Sequence, residues 1–391
     1  MVNPFSFSNI PIIHFGVGKF NQLYPVIENT RNKILIFTGK QSYTKIQQWT
    51  DLIEFLNKQS IVFDHVSVTE EPSPEFIDQI SKNFNNEFFD FVISIGGGSV
   101  IDAGKAVSAM LKLNESVFDY LEGIGNSKVH PGVKIPFIAI PTTSGTGSEA
   151  TKNAVLNRIG PNGFKRSLRH NNLIPDIAII DPRLTINCPT DISAACGLDA
   201  FTQLLESFVS TKANTITDVL ALSGIAQIRN SLVRACKNGD DIDTRTGMSY
   251  ASLISGITLA NAGLGVVHGF ASSIGGLHHI PHGVVCGTLL GSSTRINIIK
   301  LQTEKNNETA LKKYSEVGKL LSGTPNKDDE FYLNSLIETI DYWTKTLHIP
   351  KLSKYGINEE EIEKIVEQTG IKNNPVELNQ NDLRCILHER L

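Results

Sequence analysis

The sequence predicts an α/β amino-terminal domain built on a parallel, nucleotide-binding sheet and followed by an all-helical carboxyl-terminal domain. Three observations carry this reading. Short apolar runs alternate with helical segments through the first half of the 391 residues. After about Pro189 strand-like runs become rare and a periodicity of about 3.6 residues takes over. Two glycine- and hydroxyl-rich loops follow directly on predicted strands of the first half. The expected domains are residues 1–189 and 190–391, packed closely, and clefts between such halves are where ligand sites usually lie.

Lys33–Thr38 (KILIFT), Phe89–Ile95 (FDFVISI), Ile135–Ile140 (IPFIAI) and Ile174–Ile180 (IPDIAII) read as buried strands. Each is short, rich in β-branched or aromatic residues, and bounded by Gly, Pro or Asp. Pro74–Phe84 and Val100–Leu113 read as helices between them. Strands alternating with helices imply a parallel sheet covered on both faces. In the second half Leu333, Leu336, Ile337, Ile340, Trp343 and Leu347 mark one face of a helix that Pro350 ends. Asn358 and Glu361 have capping-box spacing for a helix ending near Gly370. Ala251–Ala262 is rich in Ala, Gly and Ser, which lets neighbouring helices approach closely.

Composition narrows the function. Hydrophobic residues make up 40% and charged residues 19%, the proportions of an ordinary globular chain with ample material for a core. A formal charge of −4, with Lys and Arg scattered, gives no electrostatic case for nucleic acid or an anionic membrane. No apolar stretch reaches the ~20 residues that span a bilayer. Met1–Ser6 lacks a basic region followed by an apolar one, so it does not read as a signal peptide. The five cysteines lie far apart with no CxxC pair, which suits reduced thiols in a cytoplasm and argues against a structural zinc knot.

Gly96-Gly97-Gly98-Ser99 follows the strand ending at Ile95 and opens a helix. Glycine lets the backbone approach an anion, and the helix start supplies N–H groups and a positive dipole, so this is a diphosphate cradle in the right context. It is neither GxGxxG nor a Walker loop, and a tight strand-to-helix turn has the same composition. A side chain at Gly98 is expected to block the approach, while Lys105, well into the helix, is expected to stand apart from the phosphates. Pro141–Glu149 (PTTSGTGSE) follows the next strand, and its hydroxyls suit a ribose or phosphate at the carboxyl end of a sheet.

Four of the ten histidines, His268, His278, His279 and His282, fall within fifteen residues among Gly, Ala, Val and Ile. Imidazole is the commonest metal ligand and proton carrier near neutral pH, although surface histidines also cluster by chance. Asp199 and Gln203 are four residues apart in a helical run and share a face that Glu206 can continue. A carboxylate, an amide oxygen and histidines together suit a divalent cation; alone, the Asp199/Gln203 pair suits a cap and a solvated side chain.

These motifs, in their order and spacing, resemble the iron-containing (group III) alcohol dehydrogenases over nearly the whole chain: GGGSVIDAGK (Gly96–Lys105), PTTSGTGSEAT (Pro141–Thr151), GLDA (Gly197–Ala200), VHG (Val267–Gly269) and PHG (Pro281–Gly283). The resemblance implies the dehydroquinate synthase-like architecture, a dimer, and hydride transfer between NAD or NADP and a small alcohol or aldehyde. It implies a dinucleotide over Gly97, Gly98 and Ser99, close to Asp102, with further contacts from Gly39, Ser73, Thr142, Thr143, Thr146 and Lys165. It implies Fe²⁺ or Zn²⁺ on Asp199, Gln203, His268 and His282.

The chain departs from the family pattern at three positions. Gln203 stands where the family usually has histidine, so one imidazole becomes a weaker oxygen donor and the metal should bind less tightly. Ser272 replaces a second active-site histidine of some members, so a proton relay through it is missing; His278, four residues before His282, is the candidate proton donor or substrate contact. Gly39 stands where some NAD-preferring members carry an acid after the first strand, so NADPH should be accepted. Two rival readings are a dehydroquinate-synthase-like lyase, for which the expected basic residues around 199–206 and 266–283 are missing, and a nucleotide-binding homologue with an impaired metal site.

Overall fold

The computed structural model describes residues 4–40 and 46–391; Met1–Asn3, part of the amino-terminal stretch considered above, lie outside them. Eight strands are numbered in chain order: β1 Ile12–Phe15, β2 Lys33–Gly39, β3 Val62–Val68, β4 Phe89–Gly96, β5 Phe137–Pro141, β6 Asn153–Arg158, β7 Phe164–Arg169 and β8 Ile177–Ile180. Six of them form one sheet in the order β1-β8-β5-β4-β2-β3, parallel at every pairing, and β6 and β7 form a separate two-stranded sheet. Helices α1 Leu23–Ile27, α2 Gln47–Lys58, α3 Pro74–Asn83 and α4 Gly98–Met110 accompany the strands. Alternate residues point to opposite faces of the sheet. Ile34, Ile36, Ile93, Ile95, Ile138 and Ile140 therefore pack with Leu23, Ile27, Leu52 and Leu56 of α1 and α2. The other face receives α4, where Gly104 lies so close to Ser94, Phe137 and Phe37 that no larger residue would fit.

The four strands legible in the sequence are the four interior ones, with ends moved by up to three residues. The two edges escape that reading because β1 is only four residues long and β3, VFDHVSV, mixes polar with apolar residues and alternates in exposure only over His65–Val68. The hairpin β6–β7, with NAVLNR facing FKRSLR, is likewise too polar to read as buried strand.

From residue 189 onward the chain is helical: α5 Thr190–Val209, α6 Thr215–Lys237, α7 Ile242–Ala262, α8 Val266–Leu277, α9 His282–Glu304, α10 Glu308–Ser322, α11 Asp329–Thr346, α12 Glu359–Gln368 and α13 Gln380–His388. Among the described residues no single helix is long and apolar enough to cross a membrane. Helix α12 starts at Asn358 as expected, but Asn358 caps the N–H of Glu360 and the reciprocal bond from Glu361 does not form. Capping boxes stand instead at Asn214/Thr217 and Asn379/Asp382.

The chain forms two compact units. One comprises residues 8–158 and 165–188, and the other residues 4–7, 159–164 and 189–391. Thus a single break near 189 is not the whole division. The turn Ile159–Phe164 groups with the helices, where Gly160 N–H donates to Gly276 O at 3.1 Å and Lys364 Nζ donates to Pro161 O at 3.0 Å.

Candidate active site

In the α/β unit, Gly96 of β4 lies in register with Pro141 of β5, and Thr38 of β2 with Ile95. This brings Gly97–Ser99, the loop from Thr142 to Thr146 and Gly39 to one carboxyl edge of the sheet, where open α/β sheets bind ligands. Gly97 is the N-cap of α4 and no side chain caps that helix, so its first N–H groups keep their capacity to bind an anion. Thr142 N–H donates to Gly96 O at 2.9 Å, tying the two loops together. A Cβ on Gly98 would meet Thr146 Oγ1 at 2.6 Å. Glycine at 98 therefore serves the contact between loops as well as access to the backbone, which the sequence reading did not separate.

Other expected cofactor contacts have structural employment. Ser73 Oγ accepts from Phe76 N–H at 3.2 Å and caps α3. Lys165 Nζ is bound to both oxygens of Glu71, at 2.7 and 2.6 Å, so its charge is compensated in place. Asp102 is buried and accepts from Val155 N–H of β6 at 3.1 Å.

Lys105 is the larger surprise. Its Nζ, fully buried, donates to Ser148 O at 2.7 Å, Thr151 O and Oγ1 at 3.0 Å, and Asn153 O at 2.9 Å. It is the clamp of the hydroxyl-rich loop rather than an uninvolved cation. Burial pulls its pKa down to about 8, against the attraction of Asp102 and Glu149. Burial likewise pushes the Glu149 carboxyl up to about 7.

In the helical unit three of the four expected metal ligands converge. Asp199 of α5, His268 of α8 and His282 at the start of α9 meet, together with Cys286 one turn further along α9, with one donor atom from each within 4.8 Å of all the others. His268 Nε2 and His282 Nε2 stand 3.4 and 3.6 Å from Asp199 Oδ1. A Cβ on Gly283 would meet Ala195 O at 2.5 Å, so glycine after His282 lets the first turn of α9 rest directly on the backbone of α5.

Asp199 Oδ1 is buried and accepts no well-formed hydrogen bond, an arrangement that costs free energy unless a cation answers it. The donor set therefore fits a divalent metal. His268 is itself held by Glu206, whose Oε2 lies 2.7 Å from Nδ1 while Oε1 accepts from Val267 N–H at 2.7 Å. That bond keeps a proton on Nδ1 and turns Nε2 toward the cluster, where a metal would take the place of any second proton. Burial opposes charge on Asp199, yet His282 and His268 hold its carboxyl below the usual range. Burial also opposes charge on His268, but Cys286, Asp199 and Glu206 hold the imidazole well above its ordinary value. Burial pushes the Cys286 thiol up to about 12.

Gln203 lies beside this group but is turned: Oε1 accepts from Ser255 Oγ at 2.7 Å, and Nε2 faces Asp199 Oδ2 at 3.4 Å. His278 is not among the converging donors; its Nε2 lies 2.9 Å from Glu361 Oε1, close enough for an ion pair though poorly aligned as a hydrogen bond. Sequence reasoning missed Cys286, although its position four residues after His282 places both on one helix face.

Residues 11–182 match the family described as iron-containing alcohol dehydrogenase, and residues 193–391 match the carboxyl-terminal domain of the Fe-containing alcohol dehydrogenase family. The chain is 32% identical to alcohol dehydrogenase 4 of Saccharomyces cerevisiae, over 91% of this chain and 90% of that one. It is 30% identical to an NADPH-dependent butanol dehydrogenase of Clostridium saccharobutylicum, over 96% of this chain and 95% of that one. The solved structure of an alcohol dehydrogenase from Oenococcus oeni superposes with a TM-score of 0.87 at 26% identity, covering 99% of this chain and 100% of that one. The fold and site define a metal-dependent oxidoreductase acting on CH–OH groups with a nicotinamide dinucleotide. The chain belongs to the iron-containing alcohol dehydrogenase family.

Proposed function

We propose that this protein interconverts a small alcohol and its aldehyde with NADP as a preferred or equal partner to NAD, using Fe²⁺ or Zn²⁺ held by Asp199, His268 and His282. The observation that carries the reading is the convergence of the two imidazoles on the buried Asp199 Oδ1, which has no well-formed hydrogen bond. A divalent metal, when bound, supplies Lewis acidity that favours alkoxide character on the substrate oxygen. The chain's own residues do the rest. Glu206 fixes the tautomer of His268, and His278, which faces Glu361, is the candidate imidazole for the alcohol proton. The uncapped start of α4 receives the diphosphate. At the end of β2, Thr38-Gly39-Lys40 carries no carboxylate to repel a ribose 2′-phosphate, and the clostridial relative is named for NADPH. A cytoplasmic homodimer is part of the same proposal, supported by family resemblance and by five cysteines that form no disulfide.

The test is a net absorbance change at the nicotinamide band with small alcohols and aldehydes, both cofactors, and metal removed or restored. Turnover abolished by chelation and recovered with Fe²⁺ or Zn²⁺ is the expected result. Gly39→Asp should shift kcat/KM toward NADH by like-charge repulsion. Turnover that survives complete metal removal, or strong rejection of NADPH by the unaltered protein, would overturn the corresponding part.

A further inference from the structure

We propose that Cys286, as a thiolate, is the fourth protein ligand of the metal and that Gln203 is not a ligand. The inference rests on the metal site put forward above. A tetrahedral ion with bonds of about 2.0–2.3 Å sets neighbouring donor atoms roughly 3.3–3.6 Å apart. Four of the six edges here are 3.4 and 3.6 Å from Asp199 Oδ1 to the two imidazole Nε2 atoms, and 3.7 Å from Cys286 Sγ to each of those same nitrogens. The remaining two edges lie within 4.8 Å, so the four atoms enclose a space of the size an ion fills.

Gln203 presents the wrong atom. Its acceptor oxygen is engaged by Ser255, and the group nearest Asp199 is an NH₂, which has no lone pair to give. Cys286, by contrast, is fully buried yet faces two imidazoles and a carboxylate, not the apolar surroundings of an inert core thiol. As the metal binds, the S–H bond gives way to a metal–sulfur bond and the proton leaves to buffer. Asp199 and Cys286 then balance the charge of a divalent ion, and the soft sulfur favours zinc, cobalt or ferrous iron over magnesium or manganese.

The experiment uses the full chain loaded with Co²⁺. A thiolate-to-cobalt charge-transfer band in the near ultraviolet is expected, beside the visible d–d bands. Cys286→Ser and Cys286→Ala should abolish the near-ultraviolet band and weaken metal retention roughly tenfold or more, with circular dichroism reporting whether the helices persist. Gln203→Ala should keep both the band and the metal. Cobalt bound with d–d bands but no thiolate band in the unaltered protein, or a band that survives in a folded Cys286 variant, overturns this proposal and leaves the metal site standing. A protein that retains no cobalt overturns both.

Discussion

At the scale of the residue, the decisive partner of the site is a carboxylate that touches no donor position itself. Glu206 holds His268 through Nδ1. In Glu206→Gln, Oε1 can still accept from Val267 N–H, but an NH₂ would then face Nδ1 and drive the ring proton to Nε2, where it blocks ligation. Metal affinity should fall roughly 10- to 100-fold with the helical content unchanged. Competition against a chromophoric chelator measures this, and equal affinity for the two proteins would show that Glu206 is not the positioning group. Asp199, His268 and His282 were legible in the sequence because short motifs carry them. Glu206 was visible only as a residue continuing a helix face, since its partner is 62 positions away. Cys286 went unread because cysteines scattered without a pair signal no metal, and what makes it notable is the company of side chains from other helices.

At the scale of the element, strand interiors were legible and edges were not, for a reason of burial: among the described strands only β2, β4, β5 and β8 have neighbours on both sides in the six-stranded sheet, and they read as mainly apolar runs. The polar clamp inside the α/β unit was equally invisible. Nothing in GGGSVIDAGK tells that Lys105 turns inward to gather three carbonyls and a hydroxyl. Its loss should therefore reach the dinucleotide through the loop that it anchors, although Lys105 was expected only as a cation standing apart from the phosphates. Lys105→Met keeps the volume but leaves those acceptors unmet, and should destabilise the α/β unit by about 3 kcal/mol. Dinucleotide affinity should fall with it, because the loop bearing Thr142, Thr143 and Thr146 loses its anchor. Urea unfolding and titration followed by nicotinamide fluorescence check both; unaltered dinucleotide affinity would mean that the loop stands without the clamp.

At the scale of the whole molecule, buried carboxyls set a pH dependence. Glu149 has a folded-state pKa of about 7 against an ordinary 4.5, raised chiefly by burial. The folded chain keeps a proton there that the unfolded chain has already released. Stability from this group is therefore full below about pH 4.5, falls as pH rises, and levels off above about pH 7, a change of order 3 kcal/mol. Unfolding midpoints measured across this range should decline for the unaltered protein more steeply than for Glu149→Gln, which carries no charge to bury. Parallel slopes would place the proton elsewhere.

The register that pairs Gly96 with Pro141 has a further consequence, for which lengths of chain this fold can gain or lose. One residue inserted within β4 or β5 would slide one loop past the other by about 3.3 Å and reverse the faces of every side chain beyond it. A hydrogen-bonded cradle has no such latitude. The stretch between α4 and β5 pairs with no strand of that sheet at residues 123–127, which are mostly exposed, and additions there leave the frame intact. Length variation among chains of this kind should therefore concentrate in that connection, where change costs the sheet nothing, and stay out of the strands that hold the two loops in step.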